Sequence, residues 1–165
     1  MPKFSSTYQP SQQSRTRALV FVYGTLLSGC GNHHVLEMDP TYRLIGRGSI
    51  RAQMFTAHWG YPHIKFSRNN KHRVVGEVYD VDRKLLYGSL DRLEGYSRQR
   101  ASQGSCLYFR KKVTVLLKPE DDRTQVQTFV YEAGNYLKDR SELIPSGDWK
   151  KAKAVRSNSV LLPKV

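Results

Sequence analysis

The sequence predicts an α+β fold in which a β-sheet curls into a small barrel beside one or two helices. Three observations support this prediction. The first is an apolar and β-branched run, Ala18 to Tyr23, which is closed by Gly24. The second is strand-like alternation from Leu107 to Leu117, and the third is a helical leucine pattern that begins after Asp82. Strands therefore dominate, and the helices are few.

Length and composition indicate one globular domain. The chain has 165 residues, of which 39% are hydrophobic and 25% are charged, a balance that suits a single buried core. The polar segment from Met1 to Arg17 contains no apolar run that resembles a signal peptide or a membrane span. We therefore expect a cytoplasmic location, no membrane association, and reduced thiols at Cys30 and Cys106. The sequence does not indicate an oligomeric state.

The net charge of +13 is concentrated at the two ends. Met1 to Arg17 carries three basic residues and Trp149 to Val165 carries five, with no acidic residue in either segment. This pattern divides the chain into a flexible basic segment (1–17), a folded domain (18–149) and a basic tail (150–165). Basic ends keep a small protein soluble or make weak contact with a polyanion, and a dedicated nucleic-acid site is the alternative.

The first half of the chain contains two predicted strands and a short helix. Ala18 to Tyr23 has the near-continuous apolar character of a strand buried on both faces. A short helix is expected from His33 to Met38, before Asp39-Pro40 ends it. Thr41 to Met54 is predicted to be a second strand, with a bulge or bend at its two glycines. Ala57 to Asn70 is expected to be irregular, with a turn at His58 to Pro62.

A strand and a capped helix follow. Arg73 to Val81 is predicted to be a strand, and Asp82 is a suitable N-cap for the helix after it. The spacing of Leu86, Leu90 and Leu93 places the three leucines on one helix face. Gly95 suits a left-handed C-cap, so Glu94 is expected at the last helical position.

The third stretch predicts a β-hairpin. From Leu107 to Leu117 the odd positions are mostly apolar and the even positions are mostly polar, which is the period of a strand. Pro119 to Arg123 is a polar turn, and Val126 to Glu132 is the returning strand.

Several kinds of chemistry lack their usual residue patterns. The histidines are adjacent or scattered and the two cysteines are far apart, so we expect no metal. The chain has neither the Walker nor the dinucleotide glycine spacing, and it has no Gly-x-Ser-x-Gly elbow, so we expect no nucleotide cofactor and no serine nucleophile. Cys106 has no neighbour that would activate a thiolate, and we interpret it as a small residue at a strand edge.

Two features remain as candidates for a site. The turn Tyr23-Gly24-Thr25-Leu26 follows a buried strand, where main-chain N–H groups can converge on an anion, although such a turn also has a purely structural interpretation. Glu94 lies at the negative end of a helix dipole, which raises a carboxyl pKa if the side chain is also partly buried. Such a group can accept and return a proton near neutral pH, whereas a solvated Glu at a helix end is the structural alternative.

Together these stretches resemble the gamma-glutamylcyclotransferase-like superfamily, and most closely its gamma-glutamylamine cyclotransferase branch, which opens with Tyr-Gly-Thr-Leu. The resemblance spans about residues 18–149, and its motifs occur in family order. They are Phe21-Val22-Tyr23-Gly24-Thr25-Leu26, Asn32-His33, Gly76-Glu77-Val78-Tyr79, Leu90-Asp91-Arg92-Leu93-Glu94-Gly95-Tyr96, Tyr108-Phe109-Arg110 with Val113-Thr114-Val115, the strand with Tyr131, and Ser146-Gly147-Asp148-Trp149.

The resemblance implies a small mixed β-barrel with flanking helices, no cofactor, and cleavage of a small gamma-glutamyl amide to 5-oxoproline and an amine. Glu94 would be the general acid/base, the main chain of Tyr23 to Leu26 would hold the glutamyl portion, and Tyr131 would close the pocket with its hydroxyl. The segment Ala52 to Asn70 would build the amine side, where the match to the family is loose and the leaving group cannot be named.

Two other functions fit the same fold. The domain could be a non-catalytic binding module whose basic ends engage nucleic acid or an acidic partner, and strongly salt-dependent binding would indicate this. Alternatively, the same acid/base could remove a gamma-glutamyl protecting group from a biosynthetic intermediate.

Overall fold

The computed structural model describes residues 16–56, 60–66, 71–118, 124–135 and 141–160. These residues form eight strands, a 3₁₀ helix at His33–Met38, and three further helices. Helix α1 is built of three consecutive segments (Arg83–Leu85, Leu86–Leu90 and Asp91–Leu93), α2 spans Arg98–Ser102, and α3 spans Trp149–Val160. The strands are β1 (Arg17–Val22), β2 (Arg43–Arg51), β3 (Gln53–Thr56), β4 (Pro62–Lys65), β5 (Arg73–Asp82), β6 (Tyr108–Leu117), β7 (Gln125–Ala133) and β8 (Glu142–Ile144).

Five strands close into a barrel in the order β1-β5-β2-β6-β7. Most neighbours are antiparallel, but β7 returns beside β1 in parallel, with Phe129 opposite Val20, so the barrel is mixed. β1 is buried from Ala18 onward because it lies between β5 and β7 and contributes to the core. The predicted α+β fold with a small mixed β-barrel is therefore confirmed, and the β6-β7 hairpin is where the alternation placed it.

The prediction of one strand from Thr41 to Met54 is wrong. Two strands occupy this range, and they are separated at the fully buried Ala52. β2 stays in the barrel beside β5, whereas β3 joins a second sheet of order β4-β3-β8. The predicted bulge exists, because the register of β2 on β5 shifts between Leu44 and Gly46.

Part of the segment expected to be irregular, Ala57 to Asn70, also forms a strand. β4 pairs with β3 in antiparallel register, from Gln53 opposite Lys65 to Thr56 opposite Pro62. Residues 57–59 of the predicted turn lie outside the described residues, as does the predicted turn Pro119 to Arg123. β8, which was not predicted, pairs with the other edge of β3.

Helix α1 begins as predicted, because the Asp82 side chain accepts a hydrogen bond from the Lys84 N–H at 2.7 Å. Its middle segment, Leu86–Leu90, is a π-helix. The wider turn changes the side of the helix on which the following residues lie. Leu86 and Leu90 are fully buried but Leu93 is 39% exposed, so the three leucines, which were predicted to lie on one helix face, are not buried together.

The end of α1 matches the predicted left-handed cap. Gly95 has a φ of 64°, and the N–H of Tyr96 bonds to the carbonyl of Asp91 at 2.8 Å. This is the longer bond of a Schellman motif. Glu94 is the C-cap residue, one position after the last helical residue.

The last described element is α3, which occupies residues expected to be a basic tail. Two of its basic side chains contact the body of the domain. Lys150 Nζ lies 3.6 Å from a carboxylate oxygen of Glu77, and Arg156 Nη2 lies 3.1 Å from one of Glu142. The division at 1–17, 18–149 and 150–165 stays a prediction. Among the helices of the described ranges, none has the length and apolar character that crossing a membrane requires.

Candidate active site

A cavity of about 340 Å³ opens at the end of β1. It is bounded by β1 and the turn after it, by the start of β4, by the end of α1, and by β6 and β7. All six residues predicted to form the site line this cavity. The lining residues are Phe21, Val22, Tyr23, Gly24, Thr25, Leu26, Asn32, Tyr61, Pro62, Leu93, Glu94, Leu107, Tyr108 and Tyr131.

The turn at Tyr23 to Leu26 requires glycine because of a close approach. A Cβ atom on Gly24 would lie 2.4 Å from Cγ of Pro62, the first residue of β4. A real side chain does not tolerate such a distance, so any larger residue would displace either the turn or the second sheet. Gly24 therefore lets the exit of the barrel strand pack directly on the neighbouring sheet.

Asn32 and His33 hold the same turn from the other side. The Asn32 main-chain N–H bonds to the Thr25 carbonyl at 2.9 Å, and its side-chain amide donates to Thr25 Oγ1 at 3.0 Å. His33 Nδ1 lies 2.8 Å from the carbonyl of Leu26. The loop before the 3₁₀ helix therefore fixes the conformation of the turn.

The turn leaves main-chain donors unused. Within the described ranges, the N–H groups of Gly24, Thr25 and Leu26 donate to no other group of the protein. Consecutive free N–H groups beside a cavity form a concave site that attracts anionic groups. The turn can therefore accept a carboxylate or a polarised carbonyl oxygen.

Glu77 on β5 supports the far end of the turn. Its carboxylate accepts hydrogen bonds from the Ser28 N–H and hydroxyl, each at 2.8 Å, and from the Tyr79 hydroxyl at 2.9 Å. Burial alone would raise the pKa of Glu77, but these three donors and Lys150 outweigh it and lower the pKa. Glu77 is thus a structural anion, a role that the sequence did not reveal.

Glu94 is the one charged residue among the described residues that line the cavity. Its main-chain N–H continues the helix by bonding to Leu90 O at 3.0 Å. Its carboxylate makes no hydrogen bond or ion pair with any part of the chain that the structure describes, and the residue is only half-buried because it faces the cavity. Burial raises the pKa of Glu94 to about 7, which suits a group that must both accept and donate a proton near neutral pH.

Three tyrosines surround this carboxylate. The hydroxyl of Tyr23 donates to the main-chain carbonyl of Tyr131 at 2.7 Å, and that of Tyr108 donates to the carbonyl of Pro62 at 3.0 Å. Burial is the largest cause that raises the pKa values of Tyr23, Tyr108 and Tyr131. The negative charge of Glu94 raises all three further, after Tyr108 in the case of Tyr23 and after Asp91 in the case of Tyr131, so the three hydroxyls stay neutral. The surroundings of Glu94 are thus polar but uncharged.

The hydroxyl of Tyr131 donates to Asp91 Oδ1 at 2.7 Å, and the other carboxylate oxygen of Asp91 is ion-paired with Arg110. The sequence analysis did not single out Asp91 or Arg110 as site residues. A signal for Asp91 existed, because it lies three positions before Glu94 and so on the same side of the helix. In the described ranges no group of three or more His, Cys, Asp or Glu side chains is placed to bind a metal ion.

Comparison with known proteins agrees with this architecture. Residues 20–151 match the family described as gamma-glutamyl cyclotransferase, AIG2-like. The gamma-glutamylaminecyclotransferase of Bos taurus is 35% identical over 131 residues, covering 72% of this chain and 67% of that protein. An AIG2-like protein from Mus musculus has a structure with a TM-score of 0.58 and 27% identity, over 75% of this chain and 82% of that chain.

A third relative supports the fold alone. The crystal structure of YkqA from Bacillus subtilis has a TM-score of 0.64 at 24% identity and covers 86% of this chain, which in turn spans 43% of that chain. The family match extends over nearly all of the barrel and the site. The chain therefore belongs to the gamma-glutamyl cyclotransferase, AIG2-like family, and is a gamma-glutamylcyclotransferase-like enzyme.

Proposed function

We propose that the enzyme cleaves gamma-glutamylamines, releasing 5-oxoproline and a free amine, with Glu94 as the general acid/base. The observation that carries this proposal is the state of the Glu94 carboxylate. It faces the cavity beside the turn Tyr23 to Leu26, has no protein partner among the described residues, and has a pKa of about 7. A structural carboxylate such as Glu77 accepts several hydrogen bonds, whereas none of the described residues donates one to the carboxylate of Glu94.

The reaction needs one group that moves a proton twice. Ionised Glu94 removes a proton from the α-ammonium group of the substrate, and the freed amine attacks the γ-carbonyl carbon of the same glutamyl portion. A new C–N bond closes the five-membered ring, and the bond to the leaving amine breaks as protonated Glu94 gives its proton to that nitrogen. The ring nitrogen then loses its second proton to Glu94, which passes it to the released amine, so that the products are 5-oxoproline and an ammonium ion and Glu94 is ionised again. Because the nucleophile and the electrophile belong to one molecule, holding that molecule in a folded geometry supplies much of the acceleration.

The turn is suited to hold the glutamyl portion. The free N–H groups of Gly24, Thr25 and Leu26 border the cavity, and an anionic α-carboxylate is the group that such donors attract. Their position at the exit of β1 is fixed from both sides, by Pro62 and by Asn32. In this proposal the carboxylate of the substrate binds the turn and its ammonium group points toward Glu94.

The remaining lining favours an amine leaving group over an amino acid. The outer wall of the cavity is largely apolar, being formed by Tyr61, Pro62, Leu93 and Leu107. No cationic side chain lines the described part of the cavity. A gamma-glutamyl peptide would place a second carboxylate beside this wall without a counter-charge, which is unfavourable in a poorly hydrated site. A leaving amine with an alkyl or aromatic group avoids that cost.

The test is a panel of gamma-glutamylamines and gamma-glutamyl peptides, with 5-oxoproline as the readout. Glu94→Gln keeps the shape of the side chain and removes the proton acceptor, so its turnover should fall by at least about a hundredfold. Glu142→Gln is a matched control, because Glu142 is exposed and lies outside the cavity lining. Equal activity of wild type and Glu94→Gln would reject Glu94 as the base, and faster cleavage of the peptides would reject the substrate class.

The binding-module alternative can draw on only part of the charge of the basic helix α3. Lys150 and Arg156 are ion-paired with Glu77 and Glu142, so two of its charges serve the domain itself. Weak contact with a polyanion through the ends of the chain and a cytoplasmic location stay predictions. So does the removal of a gamma-glutamyl protecting group, which the same cavity would perform on a larger substrate.

A further inference from the structure

A buried chain of polar contacts leads from the barrel wall to the cavity. Arg110 on β6 is ion-paired with Asp91 on α1, and Asp91 Oδ1 accepts the hydroxyl proton of Tyr131 at 2.7 Å. The side chains of Arg110 and Asp91 are only 8% and 12% exposed. Neither Arg110 nor Asp91 lines the cavity, whereas Tyr131 does. The two charged residues therefore reach the site only through the tyrosine.

Arg110 is held by aromatic rings as well as by charge. Its guanidinium carbon lies 4.6 Å from the ring centroid of Tyr87 and 4.7 Å from that of Tyr96, with Phe129 at 5.6 Å. These are cation–π distances, and they restrict the position of the planar guanidinium group. Tyr87 belongs to the same helix as Asp91, and Tyr96 follows the end of that helix. The arrangement therefore gives the Asp91 carboxylate a fixed orientation.

The orientation of Asp91 determines what the Tyr131 hydroxyl can do. A phenol has one proton to donate, and here that proton is directed to a carboxylate, which cannot donate in return. The remaining capacity of the tyrosine oxygen is to accept a hydrogen bond. Among the groups of a gamma-glutamyl substrate, the α-ammonium is the strong donor that such an oxygen suits. Glu94 and Tyr131 both line the cavity, so a carboxylate oxygen and the hydroxyl oxygen can face one ammonium group.

We propose that Asp91 and Arg110 are positioning residues, which keep the hydroxyl oxygen of Tyr131 as an acceptor for the substrate's α-ammonium group. The inference builds on the proposed function and adds the residues that select the substrate's amino group. Tyr131 touches the ammonium, and Asp91 and Arg110 act only through Tyr131. With the ammonium bound between Tyr131 and Glu94, its nitrogen is oriented before the proton leaves.

The test measures binding, so that it does not depend on turnover. In the Glu94→Gln background, calorimetry would compare gamma-glutamylbutylamine with N-butylglutaramic acid, which is the same molecule without its α-amino group. Tyr131→Phe and Asp91→Asn should each raise the Kd of gamma-glutamylbutylamine by about tenfold, since a hydrogen bond from a charged group is lost. The Kd of N-butylglutaramic acid should change by less than about twofold, because that ligand has no ammonium to lose.

Further variants separate positioning from folding. Asp91→Asn combined with Tyr131→Phe should weaken binding no more than either change alone, because both act on one hydrogen bond. Arg110→Lys, which keeps the positive charge, should bind gamma-glutamylbutylamine more tightly than Arg110→Met does. Asp80→Asn is the control, since Asp80 is also ion-paired to arginine but lies opposite Leu19, upstream of the cavity-lining part of β1.

Each result decides the proposal. If Asp91→Asn raised the Kd values of both ligands equally, Asp91 would have a structural role only. If it left both Kd values unchanged, Asp91 would take no part in substrate recognition. If gamma-glutamylbutylamine bound the Glu94→Gln protein no better than the deaminated compound, no ammonium would be recognised and the proposal would fail. The proposed function is tested separately by 5-oxoproline release in wild type, so its failure would be seen independently of these affinities.

Discussion

Asn32 bonds twice to Thr25, through its main-chain N–H at 2.9 Å and its side-chain amide at 3.0 Å. Asn32→Ala keeps the first bond and removes the second, which should loosen the turn that carries the free N–H groups. We expect KM to rise by about tenfold with a smaller change in kcat, because the turn binds substrate and transition state alike. His34→Ala is the control, since His34 is exposed and its Nδ1 lies 3.0 Å from the carbonyl oxygen of Gly31 rather than from the turn. A fall in kcat at constant KM would contradict this role.

Gly24→Ala should damage the site through one collision. The new Cβ would lie 2.4 Å from Pro62 Cγ, so the turn must move by a fraction of an ångström or more. We expect kcat/KM to fall by about a hundredfold, as a displacement on the order of 1 Å costs that much. Adding Pro62→Ala removes Pro62 Cγ, with which the new Cβ would clash, and should restore part of the activity. No recovery in the double variant would show that Gly24 is needed for another reason.

The pH dependence of kcat/KM should report Glu94. The carboxylate must be ionised to accept a proton, and burial raises its pKa to about 7. Activity should therefore fall about tenfold per pH unit below pH 7, with the midpoint of the acid limb near that value. The neighbouring tyrosines do not titrate there, because their pKa values are raised. A rate that stays flat between pH 5 and pH 8 would exclude this assignment.

The same shift predicts that Glu94 weakens the fold. Its pKa is about 7 in the folded protein against 4.5 for the ordinary group, so the folded state favours the protonated form. As the pH rises through this interval the unfolded chain ionises first, and the free energy of unfolding falls by on the order of 3 kcal/mol. Glu94→Gln should therefore be more stable than wild type at pH 8, and this gain should vanish at pH 4. Urea denaturation at both pH values measures the difference.

For Glu77, the free energy of unfolding should change with pH in the opposite direction. Its pKa is lowered by Ser28, Tyr79 and Lys150 against the effect of burial, so its stabilisation is present above the ordinary pKa and is lost as the pH falls. Glu77→Gln should reduce the free energy of unfolding at pH 7 by about 2 kcal/mol. The exposed ion pair of Glu142 with Arg156 is the comparison, and Glu142→Gln should cost less than about 1 kcal/mol. If the two variants lost equal free energies of unfolding, the buried contacts of Glu77 would stabilise the fold no more than an exposed ion pair does.

Much of the architecture followed from local patterns. The buried run of β1, the alternation of β6 and the cap residues of α1 each signal their element within a few neighbouring positions, so the barrel and the location of Glu94 could be predicted. The turn was recognisable because Gly24 interrupts an apolar run. Its use of Pro62 as a packing partner was not, since this contact joins residues 38 positions apart.

The errors share a physical origin. β4 and β8 are short, lack alternation and both pair with β3, which lies between them, and such non-local pairing leaves little trace in a short sequence window. Leu93 was predicted to share a helix face with Leu86 and Leu90 because 3.6 residues per turn were assumed, and a π-helical segment breaks that period. The contact of Arg110 with Asp91 crosses from strand to helix, so spacing alone could not reveal it.

The π-helical segment has a further consequence for how this helix tolerates a change of length. A π-helical turn holds roughly one residue more than an α-helical turn. Gly88 lies inside this segment, and an added Cβ there would meet no atom within 4 Å. Deleting Gly88 would therefore return the turn to the α-helical form and leave Asp91 and Glu94 facing nearly as they do now, whereas a deletion in a regular turn would rotate everything downstream by about 100° about the axis. The π-helical turn is thus the place where this helix can become one residue shorter without turning its carboxylates away from the barrel mouth.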